Sequence, residues 1–190
     1  MRAGRYRSLS GERFLLRETL KVVQLILSKK SWNEIKRSVK SENIFGYRSE
    51  NSAMRVLTAI KARLKKADEE LLKIMRDDPH PEIINLYLMM KSNYLLIDFM
   101  KNVIRDKYVL GKKKLTERDI REYLMNLKCT SNWSEKTIER SGREIKNILR
   151  KSGILDDAMR IYRPILSNRF KEYILKKEGR DFLKLFGEGA

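Results

Sequence analysis

The sequence predicts an all-α fold, on the strength of three observations. Apolar residues recur every three or four positions through most of the chain, as at Leu16, Leu20, Val23 and Leu27, which places them on one face of a helix. Residues that cap helix N-termini precede several of these apolar stripes. No segment alternates apolar and polar residues for long enough to indicate a β-strand.

The first helices follow from these caps and stripes. One is expected over residues 12–28, which hold the stripe just named. Ser31 and Glu34 match the capping box, in which each side chain satisfies the backbone amide of the other residue. They predict a short helix, followed by a turn at residues 42–48. Ser49 then caps a longer helix.

The longer helix is expected to end near Lys66, and an acidic run at residues 68–70 opens the next one. Carboxylates in a first helical turn interact favourably with the helix dipole. That helix is expected to stop before Pro79. Pro81 suits the first turn of a central apolar helix, because this position needs no amide hydrogen.

A linker predicts two domains. Asn93 is expected to divide the central apolar helix from another helix over residues 94–108. The run Gly-Lys-Lys-Lys at residues 111–114 follows. It is the expected connection between an N-terminal domain, residues 1–110, and a C-terminal domain, residues 111–190.

The C-terminal domain restarts with a second capping pair, Thr116 and Asp119. Ser134 caps another long helix, which Gly153 is expected to end. Residues 156–166 are either a short wing or an irregular loop.

The chain closes with an amphipathic helix capped by Ser167 and an apolar stretch at residues 182–186. If that stretch is exposed, it favours contact with another protein.

Charge is the strongest compositional signal. The chain has 43 Lys plus Arg against 25 Asp plus Glu, a formal net charge of +18. Residues 1–66 carry +12, residues 67–110 carry −2 and residues 111–190 carry +8. Two basic blocks beside a near-neutral centre predict two contact surfaces for an extended polyanion. The basic N-terminus lacks a signal-peptide core, and charges interrupt the most apolar stretch. We expect a soluble cytoplasmic protein with no membrane partner.

The two capped helix pairs are in register. Ser49 and Ser134 lie 85 residues apart, as do the caps of the helices before them. An ungapped alignment of the two pairs gives eight identities in 37 positions. Each pair has the order of a helix-turn-helix. We predict two helix-turn-helix-like units on a shared helical core, residues 31–66 and residues 116–152. The alternative is chance convergence of two helical hairpins.

Each unit is expected to expose a basic face on its second helix, opposite the apolar stripe. Arginine can bridge guanine or phosphate bidentately, while Asn and Ser meet base edges or phosphates. The predicted contact residues are Arg48, Ser52, Arg55 and Lys66 in the first unit, and Lys136, Arg140, Arg143, Asn147 and Arg150 in the second. The alternative is a pair of ordinary solvated faces. Arg2, Arg5 and Arg7 form either an arm that reaches DNA or a solvated terminus.

Patterns for catalysis or metal binding are lacking in the sequence. His80 lies between two prolines, and Cys129 has no histidine near it. One Cys and one His are too few for a zinc site. Carboxylate pairs at residues 77–78 and 156–157 fall at expected helix ends and lack the acidic pattern of common nucleases. Because the glycines are scattered, there is no phosphate-binding loop. We therefore expect neither an enzyme nor a cofactor.

Several short elements resemble the BrxA family. The distinctive ones are W-N-E-I at residues 32–35 and R-S-x-x-S-A-x-R at residues 48–55. Further matches lie at residues 15–19, 42–44, 63–64 and 97–99. The resemblance covers most of the chain and is strongest over residues 12–110.

BrxA is the small core protein of BREX (bacteriophage exclusion) defence systems. The resemblance implies an all-helical, non-enzymatic protein that binds double-stranded DNA through helix-turn-helix elements. It also implies work beside the methyltransferase, phosphatase-like protein and ATPase of the system. It places DNA contact on Arg48, Ser52 and Arg55. Extension to Arg140 and Arg143 rests on the alignment of the two units.

Two other functions stay open at this point. The basic faces could dock acidic surfaces of partner proteins in an interaction scaffold. The chain could also be an RNA-binding helical module of the antitermination type. Charge alone does not choose between DNA and RNA, so the choice of DNA comes from the family resemblance.

Overall fold

The computed structural model describes residues 6–9 and 11–189, except for the side chains of residues 128–131. The helices are α1 (Leu16–Leu27), α2 (Trp32–Ser41), α3 (Glu50–Leu64), α4 (Glu69–Asp77), α5 (Pro81–Ser92), α6 (Tyr94–Phe99), α7 (Arg105–Val109), α8 (Glu117–Ser131), α9 (Glu135–Lys151), α10 (Asn168–Lys177) and α11 (Arg180–Leu183). A π-helical segment (Met100–Ile104) joins α6 to α7, and a 3₁₀ turn (Lys184–Phe186) follows α11. The prediction of an all-α fold is confirmed.

Helix α5 forms the centre of the N-terminal part. Residues 83–90 are all buried, and the helix packs against α1, α3, α4 and α6. A helix that is apolar on every side needs neighbours on all its faces. The apolar cluster around α5 is continuous with buried residues of α8, α9 and α10. None of the described helices is both long enough and apolar enough to cross a membrane.

The helix caps predicted from the sequence are confirmed. The side-chain oxygens of Ser31, Ser49, Ser134 and Ser167 each accept a backbone amide three residues ahead. The Ser31 amide in turn donates to the Glu34 carboxylate at 2.8 Å, which completes the capping box. Each cap satisfies an amide that its helix leaves without an internal partner.

The first helix begins later than predicted, at Leu16 instead of residue 12. Leu15 has a left-handed conformation with φ of 50°, and the backbone carbonyls of residues 13–14 accept hydrogen bonds from Arg63. Carbonyls held by a distant side chain in this way do not enter a helical ladder. Residues 11–15 therefore form a nonhelical segment in front of α1.

The helix expected over residues 94–108 is continuous to Val109, but its middle is π-helical. Asn93 starts it, as predicted, because its side chain accepts the Leu95 amide at 3.0 Å. A π-helical turn holds more residues than an α-helical turn. The segment therefore changes the facing of α7 relative to α6.

The two predicted units differ in the connection between their helices. Residues 42–49 join α2 to α3, whereas residues 132–134 join α8 to α9. The ungapped alignment therefore pairs part of a loop with the last turn of α8. The short connection has the length of a helix-turn-helix turn. The longer loop is held against α1 by Lys21, which donates to the Ile44 carbonyl.

Residues 154–162 form a small hairpin after α9. Leu155 and Ile161 make an antiparallel bridge, and Arg160 makes another with Lys114. The region predicted as either a wing or an irregular loop, residues 156–166, therefore has paired backbone at Arg160 and Ile161.

The C-terminal apolar stretch is buried. Phe182 is 9% exposed and Phe186 is 1% exposed, and the Phe182 ring lies edge-on to the Tyr87 ring at 5.4 Å. The condition under which this stretch favoured a protein-docking function is therefore not met.

Candidate nucleic-acid interface

The first basic face lies on α3 and on the loop before it. The predicted apolar stripe is buried, at Ala53, Leu57, Ile60 and Leu64. Its burial fixes the rotation of the helix, so Ser52 and Arg55 lie on the solvent side and Arg48 lies exposed before the cap. Lys66 is also exposed, and it lies beyond the last residue of α3.

The second basic face lies on α9. The predicted stripe is again buried, at Ile138, Ile145, Ile148 and Leu149. Lys136, Arg140, Arg143 and Asn147 are exposed. Arg150 lies differently, because its Nε is 3.6 Å from the Asp157 carboxylate and its Nη2 donates to the Asp157 carbonyl. This arginine holds the hairpin to α9 and is not part of the open face.

The cations of these two faces have no ion-pair partners among the described residues. No described carboxylate lies within 4.0 Å of the charged groups of Arg48, Arg55, Lys136, Arg140 and Arg143. The cations between α4 and α10 are paired instead, as Lys177 is with Asp68 at 2.9 Å. Unpaired cations leave a positive potential for an anionic partner.

The nonhelical segment before α1 separates the two faces. A cleft of about 250 Å³ lies between this segment and α3, where Arg13 lines it together with Ser52 and Arg55. A larger cleft of about 560 Å³ lies between the start of α1 and α9, where Arg13 lines it together with Asn147 and Lys151. Because Arg13 borders both clefts, the two faces adjoin one surface.

The larger cleft has a mixed polar lining. Arg17 adds a cation, while Glu18 and Glu144 add carboxylates. The Tyr47 hydroxyl donates to the Glu18 carboxylate at 3.0 Å. Burial, and then this hydrogen bond, raise the pKa of Tyr47. Tyr47 therefore remains a neutral donor, and Glu18 remains engaged.

A buried arginine fixes the backbone between the faces. Arg63 is 3% exposed and donates to the carbonyls of Phe14 and Arg13, each at 2.8 Å. The Asn85 amide donates to the same Phe14 carbonyl at 2.6 Å. Burial lowers the pKa of Arg63 to about 10, against the opposing effect of Glu12. The guanidinium is therefore charged at neutral pH.

Sequence reasoning missed three cations of this surface: Arg13, Arg17 and Lys151. The sequence predicts Arg13 inside a regular helix, and helical periodicity does not indicate a position between two clefts. Lys151 lies four residues after Asn147, so their shared helix face was a usable signal.

Among the described residues, the other groups singled out in the sequence have partners close to them along the chain. His80 Nδ1 lies 3.2 Å from a Glu82 carboxylate oxygen, and Asp77 is bound by Arg76 at 2.6 Å. Within the part of the chain that is described, no three metal-binding side chains come together. The Cys129 side chain, and Arg2 and Arg5 of the expected arm, lie outside the described residues. The remaining arginine of that arm is exposed.

Comparison with known proteins decides the family. The family model for BrxA matches residues 5–178. The chain belongs to the BrxA family. It is 30% identical over 180 residues to a BREX protein BrxA from Bacillus cereus strain H3081.97, covering 89% of this chain and 90% of that relative. The resemblance to the BrxA family predicted from the sequence is confirmed, and BrxA is a component of BREX phage-defence systems.

A solved structure extends the comparison to the fold. The crystal structure of an uncharacterized protein from Magnetospirillum magneticum matches with a TM-score of 0.79, covering 96% of this chain and 98% of that one. Sequence identity is 19%. This BrxA-family chain therefore has the same fold as that protein.

Proposed function

We propose that this protein binds double-stranded DNA through α3 and α9, as a non-enzymatic component of a BREX phage-defence system. The observation that carries the proposal is the set of unpaired cations on the two helix faces beside one shared segment. DNA presents closely spaced phosphates, and each phosphate that a protein neutralises releases counterions. Arginine also reads guanine bidentately in the major groove.

The hairpin after α9 supports the same function. In a winged helix-turn-helix, a β-hairpin follows the recognition helix and contacts the DNA backbone beside it. Here Lys112 and Lys113 are exposed next to the hairpin, and they line a cleft of about 410 Å³ with Tyr162 and Arg163. We assign this region the role of a basic wing. The partners in the cell are the other proteins of the same defence system.

The test is a fluorescence binding measurement on labelled duplex DNA across a salt series. The logarithm of the association constant should fall steeply with the logarithm of salt concentration, with a slope on the order of −5 for several phosphate contacts. A flat dependence contradicts the proposal. The pair Arg55→Glu with Arg140→Glu should weaken binding about a hundredfold, at roughly 1.4 kcal/mol per contact.

The matched control is Lys101→Glu with Arg180→Glu. Both residues are exposed and lie on elements other than α3 and α9. This double variant changes the net charge by the same amount as the first. An equal loss in both double variants would contradict the assignment to these faces. Competition with structured RNA separates the alternative, because an RNA-binding module prefers the RNA at the same salt concentration.

A further inference from the structure

The nonhelical segment and the first turn of α1, residues 11–17, hold two cations that neither helix face includes. We propose that Arg13 and Arg17 bind a backbone phosphate in the larger cleft, and that α3 and α9 therefore contact a single DNA molecule on either side of them. This inference rests on the proposed function and names the ligand of one part of that surface.

The segment places Arg13 between the two helix faces. Arg13 borders the smaller cleft opposite Ser52 and Arg55. It also borders the larger cleft opposite Asn147 and Lys151. A duplex lying on one face therefore meets Arg13 before it reaches the other face. Two separate duplexes would have to share this one side chain.

The larger cleft holds more cations than carboxylates. Arg13, Arg17 and Lys151 line it, and no ion pair joins any of them to a described carboxylate. Glu18 is already engaged by the Tyr47 hydroxyl at 3.0 Å. Glu144 is the carboxylate in this cleft that accepts no hydrogen bond from a described side chain. It is therefore the carboxylate that would repel an anion there. With three cations against two carboxylates, the cleft has a net positive charge.

The guanidinium groups of Arg13 and Arg17 are suited to binding a phosphate. A guanidinium presents several donors in a planar fork that matches two phosphate oxygens. The cleft, about 560 Å³, is large enough for a phosphate with its sugar. Asn147 adds an amide at the rim, which can bond a phosphate oxygen or a base edge.

The backbone that bears Arg13 is held in place by buried side chains. The Arg13 carbonyl is held by Arg63 at 2.8 Å, and the adjoining Phe14 carbonyl is held by both Arg63 and Asn85. Arg63 and Asn85 are buried. A ligand-binding side chain on a fixed backbone loses less conformational entropy on binding than one on a loose loop. Arg63 is a positioning residue in this arrangement, since it acts through the segment it holds.

The experiment compares full-length wild type with Arg13→Gln/Arg17→Gln on a labelled duplex of roughly two helical turns across a salt series. We expect affinity to fall at least tenfold and the magnitude of the salt slope to fall by about 1 to 2. The matched control Lys101→Gln/Arg180→Gln removes the same charge and should leave both values within twofold. Glu144→Gln should tighten binding about two- to threefold, because it removes the opposing carboxylate.

Stoichiometry tests the single duplex. Sedimentation of wild type with excess duplex should give one DNA molecule for each protein chain. Complexes with two duplexes on one chain overturn the inference even if DNA binding is tight. Affinity and slope that are unchanged in Arg13→Gln/Arg17→Gln overturn it as well, while leaving the proposed function intact.

The source of the phosphate is tested in a separate arm. Wild type is titrated with inorganic phosphate and with ATP, and the amide resonance of Arg17 is followed by NMR. Saturable binding of either at micromolar concentration, together with no binding of duplex DNA, identifies a free-nucleotide site and overturns both proposals. Binding of DNA with only weak effects of phosphate and ATP supports the inference.

Discussion

Arg63 and Asn85 donate hydrogen bonds to the same carbonyl oxygen, that of Phe14, at 2.8 Å and 2.6 Å. The two donors also bond each other, since Arg63 Nη1 lies 3.2 Å from Asn85 Oδ1. One carbonyl with two lone pairs thus joins α3, α5 and the segment before α1 inside the core. A buried network of this kind is stable when each member has its partners.

Arg63→Met should lower the free energy of unfolding by about 3 kcal/mol, because it leaves the Arg13 carbonyl and the Asn85 amide oxygen without this donor and the Phe14 carbonyl with Asn85 alone. Urea denaturation measures the change. Arg55→Met makes the same chemical change at an exposed position and should stay within about 0.5 kcal/mol of wild type. Equal effects of the two variants would mean that the buried network adds nothing to stability.

Loss of a helix cap should be measurable at both long helices. Ser49→Ala and Ser134→Ala each remove the oxygen that accepts an amide at the start of α3 or α9. Each should reduce the free energy of unfolding by about 1 kcal/mol, determined by thermal or urea denaturation. Ser52→Ala, inside the first turn of α3, removes a serine that caps nothing and should be neutral or slightly stabilising. A loss at Ser52 as large as at the caps would contradict this.

The hydroxyl of Tyr123 donates to the Asp98 carboxylate at 2.7 Å and links α8 to α6. Tyr123→Phe keeps the ring, which packs edge-on against Phe99, and should lower the free energy of unfolding by about 1–2 kcal/mol. A double-mutant cycle with Asp98→Ala isolates the pair. Additive effects of the two changes would show that the interaction between the two side chains adds nothing to stability.

Alkaline pH should destabilise the fold through a buried tyrosine, Tyr87, and a half-buried one, Tyr123. Burial, and then the Asp98 carboxylate, raise the pKa of Tyr123; burial and Glu178 do the same for Tyr87. Because the folded pKa values are raised, their contribution to stability is complete below about pH 10, the unfolded value, and is lost as pH rises above it. Ultraviolet titration of tyrosinate should show these groups ionising only together with loss of helical circular dichroism. Ionisation of every tyrosine in the folded state would contradict this.

Acid should loosen the hairpin after α9. The Arg160 amide donates to the Asp156 carboxylate at 2.8 Å and lowers the pKa of that group. A lowered pKa means that the contribution of Asp156 to stability is present above the ordinary aspartate value and is lost as pH falls through the folded value. The Arg160 amide resonance in NMR should therefore titrate below the ordinary range. Asp156→Asn should abolish that transition, whereas Asp157→Asn should leave it in place.

Local signals in the sequence predicted most of the fold. The caps at Ser31, Ser49, Ser134 and Ser167 and the buried stripes of α3 and α9 depend on residues a few positions apart, so a pattern along the chain contains them. The start of α1 depends on Arg63, about 50 positions away from the carbonyls it binds. Periodicity extends a helix until a local breaker ends it, and residues 12–15 contain neither Gly nor Pro.

The candidate site divides in the same way. The outward positions of Ser52, Arg55, Arg140 and Arg143 follow from helix rotation, which the buried stripes fix. The different position of Arg150 follows from Asp157, which only the folded hairpin brings near it. The contribution of Arg13 follows from two clefts on either side of one segment, an arrangement that no spacing along the sequence records.

The π-helical segment Met100–Ile104 sets the phase of one continuous rod. Upstream of it Asp98 meets Tyr123, and downstream of it Lys107 meets Asp119 at 2.8 Å. Both contacts reach α8 from the same rod. Deleting one residue between them would rotate everything downstream by roughly 100° about the helix axis. Of the two contacts only one could then form, so this helix tolerates substitution far better than any change in its length.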